Sequence, residues 1–190
     1  MNRAFIIGNG ISRSDIDLTK LKKHGTIYGC NALYREFMPD FLIAVDVKMI
    51  LEISKNGIQH RVPVWTNNNK YFTKISGLNY FEPSKGWSSG PTALWKASED
   101  GAEEIYILGF DYQGIDGKVN NVYAGTQNYK SKEDRATYFG NWLKQTITTV
   151  KSNADKRYIR VIKENGFIPK EFVGLENLSH ITVEEFEKFF

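Results

Sequence analysis

Hydrophobic residues along this chain occur as short apolar runs that alternate with segments of helical periodicity. Short apolar runs bounded by turn residues are typical of buried strands. We predict strands at residues 4–7, 26–29, 41–45, 61–65, 104–108 and 158–162, with a further short strand near 78–81. Strands that alternate with helices predict a mainly parallel sheet covered on both faces, which is a three-layer α/β/α fold.

Helices are predicted between these strands from periodicity and from their start and stop residues. The run Ser88-Ser89-Gly90-Pro91 opens a helix that continues to Glu99, because proline is favoured in the first helical turn. A strongly amphipathic helix is expected from residue 136, with an apolar face formed by Ala136, Phe139, Leu143, Ile147 and Val150. Shorter helical segments are predicted at 18–21, 32–37, 48–54 and 183–190.

The segment 113–130 is rich in Gly, Asn and Tyr and has no periodicity. Loops of such length are usually functional or disordered, and we interpret this one as a lid-like loop. The chain has 190 residues, enough for one substantial core, and it contains no repeat or linker. We therefore predict a single domain over 1–190.

Charge and composition exclude several classes of protein. Lys and Arg exceed Asp and Glu by only 25 to 22, which gives no reason to expect nucleic acid as a partner. No apolar stretch approaches the roughly 18 residues of a membrane helix, and the N-terminal apolar run is too short for a signal peptide. We expect a cytoplasmic protein that has no membrane partner and is compatible with a homo-oligomer.

Cysteine and histidine offer little chemistry. The single cysteine, Cys30, makes an intramolecular disulfide impossible, and we expect it to be a small buried residue. His24, His60 and His180 are widely spaced and show no metal-ligand pattern. The sequence therefore predicts no metal site built from these residue types.

Polar clusters follow the carboxyl ends of four predicted strands, and one more cluster opens a predicted helix. They are Gly8-Asn9-Gly10, Cys30-Asn31, Asp46, Gly109-Phe110-Asp111-Tyr112 and, at the helix start, Ser88-Ser89-Gly90. Ligands of open α/β sheets bind at the carboxyl edge of the strands. We therefore predict a nucleotide-binding site formed by these residues.

Each cluster has a matching chemistry. The first two glycines are expected to adopt positive φ and approach a phosphate, with Ser12 capping the next turn. Asn31 and Asp46 offer acceptors for ribose hydroxyls or a base edge, and the helix start offers free amides to an anion. Capping is the competing role for the helix start, for Asn31 and for Asp46, and a tight turn alone would explain the glycines.

Taken in order, these motifs resemble the bacterial sialyltransferases of glycosyltransferase family 42. The resemblance covers roughly residues 1–112 and rests on G-N-G-I-S at 8–12, C-N at 30–31, S-G at 89–90 and E-I-Y-I-L-G-F-D at 104–111. It implies a Rossmann-like fold with a lid, a CMP-sialic acid donor, a glycan acceptor and catalysis without a metal or other cofactor. It also implies that Asn9 and Asn31 contact the donor nucleotide, and that Ser89 and Gly90 meet the cytidine or the carboxylate.

The same resemblance assigns the chemistry to the lid-like loop. Tyr123 and Tyr129, with Tyr112 beside the loop, would neutralise the leaving phosphate. The family's general base is a lid histidine, and the corresponding run 125–130 contains none, with Asn128 in its place. An amide cannot accept a hydroxyl proton at neutral pH. This departure leaves open whether the chain is an enzyme or a catalytically silent protein that binds a nucleotide or a glycan.

A second resemblance concerns the segment M-P-D-F-L-I-A-V-D at 38–46. It is similar to the P-D-x-x-x-x-x-D signature of the family that includes archaeal 6-hydroxymethylpterin diphosphokinase. The likeness implies magnesium-dependent diphosphate transfer, with Asp46 near a magnesium-bound nucleotide. Asp46 and Asp111, both at strand ends, could then share one ion.

Overall fold

The computed structural model describes residues 2–190 and contains an eight-stranded sheet in which all neighbouring strands are parallel. The strands are β1 Arg3–Ile7, β2 Thr26–Cys30, β3 Phe41–Ile43, β4 Val64–Thr66, β5 Leu78–Tyr80, β6 Glu104–Leu108, β7 Arg157–Ile162 and β8 Leu178–Thr182. Their order across the sheet is β5-β4-β3-β2-β1-β6-β7-β8. The expected parallel α/β fold is confirmed.

Helices cover both faces of the sheet. They are α1 Val47–Lys55, α2 Ser89–Glu99, α3 Gly140–Ser152 and α4 Val183–Phe189, and short 3-10 helices include Leu18–Lys23 and Asn31–Arg35. Along β1, Ala4 and Ile6 share a core cluster with residues of α2 and α3, whereas Phe5 and Ile7 pack in another cluster with α4. Burial on both faces explains why the central strands appear in the sequence as continuous apolar runs.

Strand order reverses beside β1. The chain moves outward from β1 to β5 on one side and then returns to place β6 on the other side of β1. Ile7 pairs with Leu108, so the loops that follow β1 and β6 leave the sheet next to each other. Such a reversal is where open α/β sheets bind ligands. Among residues 2–190, none of the helices has the length and apolar character needed to cross a membrane.

The amphipathic helix begins later than predicted. It starts at Gly140, so Ala136 lies outside it and does not contribute to its apolar face, and Phe139 is at the N-cap position just before the first helical residue. The preceding residues pair with the lid-like loop instead: the Val119 N–H donates to Asp134 O at 3.0 Å, and the Ala136 N–H donates to Gly117 O at 2.9 Å. These long-range hydrogen bonds override the local helical periodicity.

Strand boundaries also differ from the prediction. A further strand that was not predicted, β8, pairs in parallel with β7 along its length, so β7 is the last strand of the chain with a neighbour on both sides. β8 is an edge strand of sequence L-S-H-I-T whose residues are only partly buried or exposed, so it lacks the apolar run by which strands are found. The strand predicted at 61–65 begins after Pro63, and the short strand near 78–81 is confirmed as β5.

Candidate functional site

A cleft of about 380 Å³ opens at the carboxyl edge of the sheet, where the loops after β1 and β6 meet. We term it the main cleft. Every residue predicted to bind a nucleotide, apart from Ser12, lines it: Gly8, Asn9, Gly10, Asn31, Asp46, Ser88, Ser89, Gly90, Gly109, Asp111 and Tyr112. Its volume falls within the range of small-molecule sites, about 300–1,000 Å³. The parallel topology thus brings together clusters that are far apart in the sequence.

Glycine is required at positions 8 and 10 by close packing, and not by a left-handed backbone conformation. Gly10 has φ −65° and Gly8 is also outside the left-handed region, so the expectation of positive φ at these positions is wrong. A Cβ on Gly8 would lie 2.6 Å from Phe110 Cδ1, and one on Gly10 would lie 2.5 Å from Asp111 Oδ2. These glycines let the loops after β1 and β6 touch.

Several amides of the first loop are engaged within the protein. The Gly10 N–H donates to Gly109 O at 2.8 Å, and the Ser12 N–H donates to Asp111 Oδ2 at 3.1 Å. The Ser12 hydroxyl also donates to Asp111, so this serine joins the two loops and does not cap the following turn as expected. These amides are therefore not available to a phosphate in the main cleft.

Two buried arginines donate hydrogen bonds to backbone carbonyls of these two loops. Arg13 donates from Nε to Gly8 O at 2.6 Å, and Arg160 donates from Nε to Phe110 O at 2.7 Å. Both residues are almost inaccessible, at 3% and 2% relative exposure. Sequence reasoning missed them, although Arg160 interrupts an apolar strand, and a charged residue there must have buried partners.

Side chains predicted to contact a nucleotide also connect the elements of the site. Asn9 donates from Nδ2 to Cys30 O at 3.2 Å, which ties the loop after β1 to the end of β2. The Ser89 hydroxyl donates to Asn31 Oδ1 at 2.9 Å and accepts from the Val45 N–H at 3.1 Å. Asn31 adopts the left-handed conformation, with φ 54°, which asparagine tolerates well. Ser89 thereby joins the start of α2 to the ends of β2 and β3.

The start of α2 supplies amides to the main cleft. Its N-cap residue, Ser88, makes no side-chain capping hydrogen bond, so the predicted capping alternative is not observed there. Amides in the first turn of a helix have no partner within the helix. Of the first three residues of α2, Pro91 has no N–H. Ser89 and Gly90 therefore supply the amides that are available to an anion in the cleft.

Two carboxylates, and no lysine or arginine, line the main cleft. Asp111 is held by Ser12, whereas Asp46 stands at the N-cap of α1 without capping it. Within residues 2–190, no group of three or more His, Cys, Asp or Glu residues is arranged to hold a metal ion. A cation shared by these two aspartates would need oxygen ligands from a bound molecule.

Aromatic rings form one wall of the main cleft. Trp87, Phe139 and Trp142 line it, and the last two rings lie 5.1 Å apart with nearly perpendicular planes. Lys85 Nζ lies 5.0 Å from the centre of the Trp87 ring. The sequence prediction did not include these aromatic residues, because core packing explains such residues equally well.

A second cavity of about 260 Å³ shares Asn31 and Asp46 with the main cleft, and we term it the side cavity. Asn128 and Tyr129, two of the residues predicted to be catalytic, line the side cavity and not the main cleft. Tyr123, the third, lines neither of them. The structure therefore places most of the predicted site residues in two adjoining cavities, and Ser12 and Tyr123 line neither of them.

The predicted catalytic side chains are engaged in hydrogen bonds. Asn128 Nδ2 donates to Glu52 at 2.6 Å, and the Tyr123 hydroxyl donates to Glu36 at 2.5 Å. The Tyr129 hydroxyl accepts from the Ala32 N–H at 3.3 Å. Burial raises the pKa of both tyrosines, so their hydroxyls remain neutral.

Tyr112 lines the main cleft, but its hydroxyl bonds to Thr146 at 2.6 Å. Burial raises the pKa of this tyrosine as well. The hydroxyls of the three loop tyrosines thus all have partners within the protein.

An ion-pair network fastens the lid-like loop to α1. Arg35 bonds to Glu52, to Thr126 Oγ1 at 2.7 Å and to Gln127 O at 2.9 Å. Burial opposes ionisation of Glu52, but hydrogen bonds from Tyr34, Arg35 and Asn128 lower its pKa overall. Asn128 therefore serves to anchor the loop to a charged carboxylate.

We find no significant match to this chain among protein family models, curated proteins or solved structures. The interpretation of the site therefore depends on its own geometry and on the sequence motifs.

Cys30 will be unreactive in the folded protein. It lies at the main cleft but is only 2% exposed, and burial raises its pKa to about 12, which leaves almost none of the reactive thiolate at pH 8. We expect a chromogenic disulfide reagent at pH 8 to modify the native thiol at least about 100-fold more slowly than the thiol of urea-unfolded protein. Similar rates in the two states would show that Cys30 is accessible.

Proposed function

We propose that this chain is a sialyltransferase-like glycosyltransferase that binds a CMP-type nucleotide-sugar in the main cleft. The observation that carries the proposal is the convergence of four strand ends and the start of α2 on one cleft at the reversal of strand order. Asn9, Asn31, Ser89 and Gly90, which the resemblance assigns to the donor, all line this cleft.

The charge of the cleft favours a donor with one phosphate. The phosphate binds the amides of Ser89 and Gly90, where the dipole of α2 also favours an anion. Two carboxylates and no basic side chain line the same space, so every further phosphate would be repelled unless a cation accompanied it. A CMP-type donor carries a single phosphate and meets this condition.

The aromatic wall offers a surface for the base. Trp87, Phe139 and Trp142 lie along the cleft with the polar strand ends. An aromatic ring stacks on a nucleobase with a contribution of about 1–3 kcal/mol per base. Asn31 provides an amide for the ribose or the base edge.

Calorimetric titration with CMP, with and without magnesium, tests the donor site. We expect CMP to bind with a Kd below about 1 mM independently of magnesium, since a Kd of 1 mM corresponds to only about 4 kcal/mol. Ser89→Ala removes the hydroxyl that joins Asn31 to Val45 and should weaken binding about tenfold.

Ser152→Ala is the matched control, because Ser152 is exposed at the end of α3 and far from the lining of the cleft. It should bind CMP as the wild type does. Absence of CMP binding up to a concentration of about 1 mM would contradict the proposal. Binding without release of CMP from CMP-N-acetylneuraminate would instead indicate a silent nucleotide-binding protein.

A second candidate function is magnesium-dependent diphosphate transfer. It is favoured by the presence of both Asp46 and Asp111 in a cleft without basic side chains. Carboxylates and phosphate oxygens are the ligands that magnesium prefers. This function requires that ATP bind only when magnesium is present, which the same titration measures.

A further inference from the structure

The side cavity and the main cleft meet at two residues, Asn31 and Asp46. Of this pair only Asp46 can exchange a proton. Its side chain is exposed, does not cap α1 and makes no hydrogen bond or ion pair with any residue between 2 and 190. An unpartnered carboxylate at the junction of two cavities is positioned to act on a molecule in either of them.

We propose that the side cavity receives the acceptor of the transfer reaction and that Asp46 is the catalytic residue that takes the proton from its hydroxyl. This inference rests on the proposed function. The main cleft holds the nucleotide-sugar, the side cavity holds an alcohol or water, and Asp46 borders both.

The reaction balances with this single base. The acceptor hydroxyl gives its proton to the Asp46 carboxylate, and its oxygen forms a bond to the anomeric carbon of the donor. The bond between that carbon and the phosphate oxygen breaks, and CMP leaves with the electron pair. The proton then passes from Asp46 to water, which restores the carboxylate.

Lys48 also lines the side cavity, but an ammonium group has no lone pair with which to take a proton. The other carboxylates and the histidines are unsuitable as well. Asp111 lines only the main cleft and is held by Ser12. Glu52 lines neither cavity and bonds to Tyr34, Arg35 and Asn128. None of the three histidines lines either space. Asp46 is thus the carboxylate that the two cavities share.

The lining of the side cavity fits the reacting end of a hydroxylated acceptor. Its volume of about 260 Å³ is smaller than a typical ligand site, so most of a larger acceptor would remain outside. The Tyr129 hydroxyl accepts from the Ala32 N–H, which leaves its own proton free to donate to an acceptor oxygen. The site therefore suits an alcohol, such as a terminal sugar.

The test compares Asp46→Asn with wild type, using CMP-N-acetylneuraminate as donor and either water or lactose as acceptor. We expect CMP to bind the variant within about threefold of wild type, because the carboxylate has no partner to lose. Release of CMP should fall at least about 100-fold, the lower end of the effect of a general base.

Asp116→Asn is the control, since Asp116 is exposed in the lid-like loop and lines neither cavity. It should release CMP at the wild-type rate. In addition, formate should restore part of the activity of Asp46→Ala, because a small carboxylate can occupy the vacated space. A merely structural role for Asp46 would give no such rescue.

The outcomes separate the two proposals. If wild type releases CMP but Asp46→Asn keeps more than a tenth of that rate, the assignment of Asp46 is wrong and the proposed function stands. If Asp46→Asn loses CMP affinity in proportion to its rate, Asp46 is a binding residue and not the base. If wild type releases no CMP from the donor, the transferase proposal fails and this assignment fails with it.

Discussion

Arg160→Met will lower the free energy of unfolding by about 3–5 kcal/mol, because it removes three hydrogen bonds from a buried cationic donor, each worth about 1.5–3 kcal/mol, and relief of the guanidinium's desolvation offsets only part of that loss. Arg160 donates to Phe110 O at 2.7 Å, to Phe167 O at 2.9 Å and to Asp111 O at 3.3 Å. Methionine fills much of the same space, but it leaves these carbonyl groups without their donor. A buried acceptor without a partner costs about 1–3 kcal/mol.

Loss of Arg160 is expected to destabilise the protein because its partners are backbone carbonyls and not an opposite charge. Replacing a whole buried ion pair with apolar residues is often neutral or stabilising, because both charges disappear together. The partners of Arg160 are backbone carbonyls, which no side-chain substitution can remove. The variant should also bind CMP more weakly, because Phe110 and Asp111 line the main cleft.

Arg157→Met provides the control on the same strand. Arg157 is 63% exposed and pairs with Glu104, which also pairs with Arg3. Its replacement should change stability by less than about 1 kcal/mol. Urea denaturation with linear extrapolation measures both variants. Equal effects of the two substitutions would show that Arg160 does not support the loop after β6.

Gly109→Ala should destabilise the protein by about 2–6 kcal/mol, from a strained backbone of about 1–3 kcal/mol and overpacking of about 1–3 kcal/mol. Gly109 has φ +71°, and a Cβ there would lie 2.6 Å from Gly8 O. The neighbour is backbone and cannot rotate away. We therefore expect the loops after β1 and β6 to separate and the main cleft to lose its affinity for CMP.

Gly117→Ala measures the loss of stability that comes from the left-handed backbone conformation alone. Gly117 has φ +77°, and a Cβ on it would meet no atom within 4 Å. This variant should lose only about 1–2 kcal/mol, the penalty for an L-residue in the left-handed region. Denaturation and CMP titration of both variants give the comparison. If Gly109→Ala is no worse than Gly117→Ala, the two loops are not in close contact.

The central strands could be predicted because the sheet is covered on both faces. Residues 4–7 and 105–108 are apolar at successive positions for that reason, and both strands were located correctly. β8 was missed because edge strands are partly exposed and need no apolar run. The start of α3 was wrong because hydrogen bonds to residues 117 and 119 hold the preceding segment, and these contacts are invisible to local periodicity.

The site was predictable in its location and less so in its chemistry. Residues after parallel strands must gather at one edge, so the polar clusters that follow β1, β2, β3 and β6 could be placed from the strand positions, whereas the aromatic residues Trp87, Phe139 and Trp142 were not predicted. The partner of Asn128 could not be predicted, since Glu52 lies 76 residues earlier in the chain. The roles of Gly8 and Gly10 depend on contacts with residues 109–111, which only the folded structure reveals.

The reversal of strand order also has a consequence for folding. Arg3 and Glu104 are 101 residues apart in sequence, yet they lie on paired strands. Closing a loop costs more entropy as it lengthens, by about 0.6 kcal/mol for each doubling. We therefore expect β1 to pair with β2 early and with β6 late. A ligand in the main cleft would contact the loops on both sides of this late-forming pairing of β1 with β6. It would therefore stabilise the whole chain against unfolding.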